Sequence, residues 1–325
     1  MEMRYLCNKD LTEEQIYVLL NYRYYTYISL DIETVSIDKP LPLGIALAVN
    51  SDTAFYFLDT QDPLLIEVIN NSRCVLFHNA SFDLPILRKL GYNVRDYQDT
   101  MLKAYSLGIL EKSLESLSEK VLHAPYTSVA SQWKPKQKEN VGIDHVVMGN
   151  WSMQHALNTY NLWFKLPTCS LYTDMDRPFI DLIMEMEYHG LLINQYQLTR
   201  VEQDAVVKTA QLERELKIEL GNINLNSNPQ VAAALKSIGV LGTRKTKAGK
   251  DSVSDEALKP LKHPVADKLL KYRSIMKTIS TYVPALRNID KVGRLHTEFN
   301  YTNTGRLTSS KPNHQNLTRD EKYDN

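Results

Sequence analysis

The 325-residue chain balances 38 lysines and arginines against 38 acids, so its totals give no support to a polyanion binder, although they leave room for a local basic patch. At this length two domains are expected, because domains run to about 100–200 residues. A composition of 43% hydrophobic and 23% charged residues is that of an ordinary folded protein.

Cys7, Cys74 and Cys169 are too few and too scattered for a zinc signature or a disulfide framework, which suits a reducing compartment. The N-terminal M-E-M-R-Y-L-C-N-K-D lacks the apolar core of a signal peptide. The run L-G-I-A-L-A-V (43–49) is far too short to span a bilayer. A cytoplasmic protein without a membrane partner is therefore expected.

In chain order, Y-I-S-L-D-I-E (27–33), L-G-I-A-L-A-V (43–49) and T-A-F-Y-F-L-D (53–59) read as strands, short, apolar and bounded by turn residues. Pro40, Pro42 and Gly44 separate the first two, and Asn50-Ser51-Asp52 makes a tight link to the third, which favours antiparallel neighbours. A helix at L-L-I-E-V-I, a buried strand C-V-L-F-H-N (74–79) and a helix F-D-L-P-I-L-R-K-L stopped by Gly91 follow. That order predicts an α/β unit with a mixed sheet. W-S-M-Q-H-A-L-N-T-Y-N-L-W (151–163) has helical spacing, with His155 one turn after Trp151.

From Leu171–Arg177 onward the pattern turns helical. R-P-F-I-D-L-I-M-E-M-E-Y-H-G stops at Gly190, and Leu198, Val201, Ala205, Leu212, Leu216 and Leu220 line one side of a long amphipathic helix. Asn228-Pro229 and His263-Pro264 each read as an N-cap followed by a first helical residue. Helices 198–220 and 264–282 are expected to pair antiparallel.

Asp31 and Glu33 close a strand and share one face, so they can grip one cation, although roughly one D-x-E arises by chance in a chain this acidic. Asp83, just past the next buried strand, brings a third carboxylate to the same sheet edge. Three converging carboxylates repel unless a divalent cation neutralises them, and hard oxygen donors suit Mg²⁺ or Mn²⁺. A pair of such ions supports phosphodiester hydrolysis.

D-I-E-T (31–34) and N-A-S-F-D (79–83) resemble the first two motifs of the DEDD 3′–5′ exonucleases, and D-T-M-L-K-A-Y-S-L (99–107) with S-L-E-S-L-S-E-K-V-L (113–122) resembles the segment leading to the third. Further on, I-N-L-N-S-N (223–228), K-T-K-A-G (245–249), Y-R-S-I-M-K-T-I-S-T-Y-V (272–283), G-R-L-H-T-E-F-N (293–300) and T-G-R-L-T-S-S-K-P-N-H-Q-N-L (304–317) resemble, in order, the thumb and palm entry of family A, Pol I-like DNA polymerases. The resemblance covers nearly the whole chain beyond residue 25.

It implies an RNase H-like 3′–5′ exonuclease domain over 1–172, a helical thumb over 173–290 and the start of a palm over 291–325. Asp31, Glu33 and Asp83 would be metal-binding catalytic carboxylates, while Thr34, Asn79 and Phe82 shape the pocket for a frayed single-stranded 3′ end. Arg244, Lys245 and Lys247 would meet duplex backbone at the thumb tip. Arg306, Asn313 and Gln315 would lie near the primer terminus of a primer-template. The expected role is proofreading in DNA replication or repair, in a bacterial cytoplasm or a phage-infected cell.

Two departures stand out. The palm and fingers that hold the polymerase carboxylates are not among these residues, which suggests a split polymerase completed by a separate polypeptide, a first exon or a truncation. In the third motif, the tail A-L-N-T-Y-N-L-W puts Trp151 at the Tyr position and His155 at the Asp position. A competing register, His145 with Asn150, fits that tail badly. Imidazole binds Mn²⁺ or Zn²⁺ and is a poor partner for Mg²⁺, and indole only donates a hydrogen bond. Three readings stay open: an altered exonuclease with His155 as ligand, a silent exonuclease-like DNA-binding subunit, or a packed histidine beside an idle cleft. A stand-alone RNA-trimming enzyme fits less well, because it has no use for a thumb.

Overall fold

The structure is a computed structural model and describes residues 5–21, 25–36, 40–124, 144–240, 242 and 244–317. The final residues of the expected palm entry, 318–325, lie outside the described residues. Backbone contacts divide the chain into two compact units, Met1–Glu185 and Met186–Asn325.

The first unit is a mixed α/β layer. Its strands are β1 (Tyr5–Cys7), β2 (Tyr27–Thr34), β3 (Pro42–Ala48), β4 (Ala54–Phe57), β5 (Cys74–Phe77) and β6 (Tyr97–Asp99), in sheet order β1-β4-β3-β2-β5-β6. Strands β1, β4, β3 and β2 are antiparallel, whereas β2, β5 and β6 are parallel. The switch falls on β2, the strand that carries Asp31 and Glu33. The link predicted at Asn50 is an Asx turn, in which Asn50 Oδ1 accepts from the N–H groups of Asp52 and Thr53 at 3.0 and 2.8 Å.

Helices α1 (Glu13–Leu20), α2 (Pro63–Asn71), α3 (Ala80–Lys89), α4 (Thr100–Ser106), α5 (Leu114–Leu117) and α6 (His145–Lys165) complete this unit. The expected strand 74–79 ends at Phe77 instead, because Asn79 adopts a left-handed φ of 84° that asparagine tolerates and turns the chain into α3. α6 begins at Asp144, whose Oδ1 accepts from the Val146 and Val147 N–H groups. Its Met148, Met153, Ala156 and Leu157 pack on Ala46, Ala48, Ala54 and Tyr56 of the sheet. The row of alanines lets the helix axis approach closely.

α7 (Arg177–His189) runs across the division and stops where the sequence says it should, at Gly190. That residue has φ 60°, and a Cβ there would meet the Leu295 carbonyl oxygen at 2.6 Å, so only glycine fits. In the second unit β7 (Leu191–Leu192) leads to α8 (Gln195–Leu220), α9 (Asn228–Ser237), α10 (Asp255–Leu258), α11 (Pro264–Lys277) and α12 (Val283–Arg287). β8 (Arg294–Leu295) pairs with β7, and β9 (Glu298–Tyr301) with β10 (Leu307–Ser310).

α8 and α11 pair antiparallel as expected. Leu216 and Leu220 pack with Val265, Ala266, Leu269 and Tyr272 in one core. Lys268 bridges Glu215 and Glu219 at 3.0 and 2.7 Å, and the later Arg287 reaches back to Glu202 near the start of α8. Two expectations needed adjustment. The cap of α9 is Ser227, with Asn228 the first helical residue, and the helix expected over 264–282 passes through a wider π turn at Thr278–Tyr282. His263 does cap α11, its Nδ1 accepting from the Val265 N–H at 3.3 Å.

Candidate active site

Pleating places Asp31 and Glu33 on the face of β2 that α6 covers, where they pair in register with Ala46 and Gly44 of β3. From α6, the Ser152 hydroxyl donates to Asp31 Oδ2 at 2.7 Å, and His155 Nδ1 stands 3.4 Å from Asp31 Oδ1. Asp31, Glu33 and His155 each offer one donor atom within 4.8 Å of the others. Asp83, from the first turn of α3, lies beside this trio and accepts a hydrogen bond from the Ile32 N–H. The structure thus brings three of the expected ligands into one cluster and sets Asp83 next to it.

The electrostatics are those of acids held without a counterion. Glu33 and Asp83 are 5% and 6% exposed, and among the described residues neither pairs with a lysine or arginine. Burial, reinforced by the Asp31 charge, pushes both carboxyls well above the ordinary range. Burial acts on Asp31 in the same direction, but the His155 imidazole and the Ser152 hydroxyl outweigh it and hold that carboxyl low. Carboxylate and imidazole donors this close fit a divalent cation, and the imidazole shifts the fit from Mg²⁺ toward Mn²⁺ or Zn²⁺.

Around the cluster, Trp151 packs against His155 with ring centroids 4.4 Å apart and planes tilted by 60°, and its buried Nε1 has no partner among the described residues. The competing register is excluded by position. His145 and Asn150 are exposed on α6, whereas His155 is buried toward the sheet. Phe82 is half-buried at the start of α3, Asn79 Oδ1 accepts from the Ser81 hydroxyl, and the Thr34 hydroxyl donates to the Ser36 carbonyl. Asp99 fixes this corner: its carboxylate accepts from the N–H groups of Asn79, Ala80 and Leu102.

The second-unit candidates are arranged differently. Arg244 forms a 2.7 Å ion pair with Glu256, and Lys245 pairs with Asp251 across a small loop, while Lys247 is exposed at the loop's turn. Arg306 is exposed beside the β9–β10 turn. Asn313 and Gln315 spend much of their hydrogen-bonding capacity on their own hairpin. Asn313 Oδ1 accepts from the Ser309 hydroxyl, and Gln315 bonds the Ser309 N–H and the Leu307 carbonyl.

Sequence reasoning missed three residues. Ser152 lies three positions before His155 on one helical face, a signal that was available. Asp99 sits before a helix as an N-cap, also a readable pattern. Tyr56, whose buried hydroxyl has no partner among the described residues, reaches toward the cluster from two strands away and left no mark in the local sequence.

Two families match along the chain. Residues 3–147 match the family described as 3'-5' exonuclease, and residues 195–325 match DNA polymerase family A. The first match ends before Trp151 and His155. DNA polymerase I of Borreliella burgdorferi is 30% identical over 331 residues, covering 91% of this chain and 36% of that protein. DNA polymerase I of Rhizobium leguminosarum is 31% identical over 261 residues, covering 74% of this chain and 26% of that protein. The chain therefore spans between a quarter and two fifths of these relatives' length. A solved structure, the POL domain of Pol1 from M. smegmatis in complex with DNA primer-template and dNTP, superposes with a TM-score of 0.70 at 23% identity, over 90% of this chain and 52% of that one, and it shows the shared fold. The matches to the 3'-5' exonuclease family and then to DNA polymerase family A, in that order along one chain and shared with these relatives, place the chain in family A of the DNA polymerases.

Proposed function

We propose that the chain is a 3′–5′ exonuclease that trims single-stranded DNA ends, joined to a helical unit that grips primer-template duplex, and that it serves proofreading. The observation that carries this reading is the buried cluster of Asp31, Glu33 and His155, with Asp83 beside it and no lysine or arginine paired to it among the described residues. In this reading the exonuclease domain covers 1–172, the thumb 173–290 and the palm entry 291–325.

Asp31, Glu33 and His155, with Asp83 alongside, would hold the divalent cations of a two-metal hydrolysis. When bound, the ions supply Lewis acidity at a phosphoryl oxygen and a water acidic enough to attack. The water oxygen bonds to the terminal phosphorus, the bond to the preceding 3′ oxygen breaks, and a nucleoside 5′-monophosphate leaves. Glu33, ionised once the cations are held, would accept the proton of the attacking water. The half-buried Phe82 ring gives the terminal base a face to stack on, and Thr34 and Asn79 border the same strand path. Trp151 stiffens His155 by packing against it and donates from Nε1 to a phosphate oxygen.

In the second unit, Arg244, Lys245 and Lys247 contact duplex phosphates, and Arg306, Asn313 and Gln315 the primer terminus. A separate polypeptide carrying palm and fingers would complete a polymerase with this chain.

One observation favours a second reading. His155 already satisfies Asp31 at 3.4 Å, so the imidazole can occupy the carboxylate without any ion and leave a silent DNA-binding subunit. Digestion of a 3′-labelled single strand with Mg²⁺ and then Mn²⁺ separates the two. The first reading expects mononucleotide release, faster with Mn²⁺. Strand binding without release under either ion would support the silent subunit instead.

A further inference from the structure

Tyr56 pairs with Ala46, and Ala46 with Asp31, so the three lie in one row across β4, β3 and β2 on the face toward α6. Its ring leans along the sheet over Gly44, the residue opposite Glu33. A Cβ on Gly44 would lie 2.2 Å from the phenol oxygen and 2.3 Å from Cζ, so the missing side chain is what lets the hydroxyl reach the Glu33 end of the cluster. The residue is 0% exposed and its hydroxyl has no hydrogen-bond partner among the described residues. Burial, followed by the charges of Glu33 and Asp31, pushes the phenol far above its usual range, so it carries its proton and acts as a donor. A buried donor without an acceptor costs about 1–3 kcal/mol. Phenylalanine would fill the same space without that cost.

We infer that Tyr56 is a positioning residue of the hydrolytic site, its hydroxyl donating to the Glu33 carboxylate and thereby aligning Glu33 with the attacking water. The inference rests on the proposed exonuclease reading. The third-motif position that would offer a phenol oxygen is Trp151, which packs in the same cluster as Tyr56, and an indole cannot accept a proton in return. The phenol instead arrives from the sheet. A turn of the Glu33 side chain closes the bond, as catalytic hydrogen bonds that are long in a free site tighten when substrate is held.

The test is Tyr56→Phe, which keeps the ring and removes only the hydroxyl. Three quantities are compared with the unsubstituted protein: the single-turnover rate on a 3′-labelled single strand with Mn²⁺, the Kd for that strand, and Mn²⁺ affinity by electron paramagnetic resonance. Rate and Mn²⁺ affinity should each fall about 10-fold or more, as for loss of an outer partner of a metal-binding carboxylate. Strand Kd should stay unchanged and Tm should not drop, because an unpaired hydroxyl has gone. Gly44→Ala, which crowds the phenol away, should give the same pair of losses.

A Tyr56→Phe protein with unchanged rate and Mn²⁺ affinity and a higher Tm would make Tyr56 a packing residue and overturn the inference alone. If the unsubstituted protein binds Mn²⁺ without cleaving, the affinity comparison still decides. Failure of the unsubstituted protein either to bind Mn²⁺ or to cleave would overturn the exonuclease reading and this inference with it.

Discussion

Charge is handled in opposite ways in the two units. In the first, Glu33 and Asp83 are buried beside Asp31, with the imidazole of His155 as neighbour and no lysine or arginine paired to them among the described residues. In the second, Arg244 and Lys245 stand at the surface, paired to Glu256 of α10 and to Asp251 of the same loop. Buried like charges lower stability and persist where they serve a ligand. Exposed pairs contribute about 0–1 kcal/mol and exchange partners freely. On the proposed reading, the first arrangement would be a cation site, and the second a surface whose cations would have to leave an acid before they met a phosphate.

Asp31→Asn attacks the first half of that contrast hardest. Cleavage of single strands should fall about 10²–10³-fold, the scale for removing a key electrostatic group at a reaction centre. Duplex binding should hold, and Tm should change little, because relief of repulsion at Glu33 and Asp83 offsets the weakened His155 and Ser152 contacts. A lower Tm would mean that the cluster is structural. His155→Asp should raise cleavage with Mg²⁺ about 10-fold and shift the preference away from Mn²⁺. Unchanged ion preference would show that the imidazole is not a ligand.

The thumb side predicts smaller, salt-dependent effects. Lys247 makes no ion pair among the described residues, so Lys247→Ala should reduce the slope of log affinity for duplex against log salt by about 1. Arg244→Ala should change it less, since that guanidinium is already held by Glu256 at 2.7 Å. Equal slopes for the two variants would erase the distinction.

The smallest expected effect is on stability against pH, because two terms oppose. Burial pushes the His78 imidazole from 6.5 down to about 4, with Nε2–H donating to the Lys112 carbonyl and Nδ1 2.8 Å from the Thr100 hydroxyl. Its folded value lies below the unfolded one, so its contribution is complete above pH 6.5 and is lost as pH falls toward about 4. Glu33 and Asp83 are raised, so theirs is present at low pH and lost as pH climbs through the carboxylate range and beyond. Urea melts should therefore show a shallow pH profile. Glu33→Gln should steepen the loss below pH 6.5, and an unaltered profile would contradict the opposition.

Much of the first unit could be read from the chain because its strands are buried on both faces and bounded by turn residues. The Asn50 link, the Gly190 stop and the antiparallel α8–α11 pair are all local or periodic signals. The shift of the α9 cap from Asn228 to Ser227 shows the limit, since either side chain can open a helix and only packing chooses. At the site, Asp31, Glu33 and His155 were found because they sit in spaced motifs. Tyr56 was invisible for the opposite reason. Its relation to Glu33 exists only through the strand register and the gap at Gly44, neither of which is written within a few residues of it.

The central claim, that Asp31, Glu33 and His155 jointly hold a catalytic cation, is tested most directly by anomalous diffraction from crystals of the whole chain soaked in Mn²⁺. A Mn²⁺ peak bonded to both carboxylates and to the imidazole is expected. A peak that leaves His155 on Asp31, or no peak at all, would contradict it.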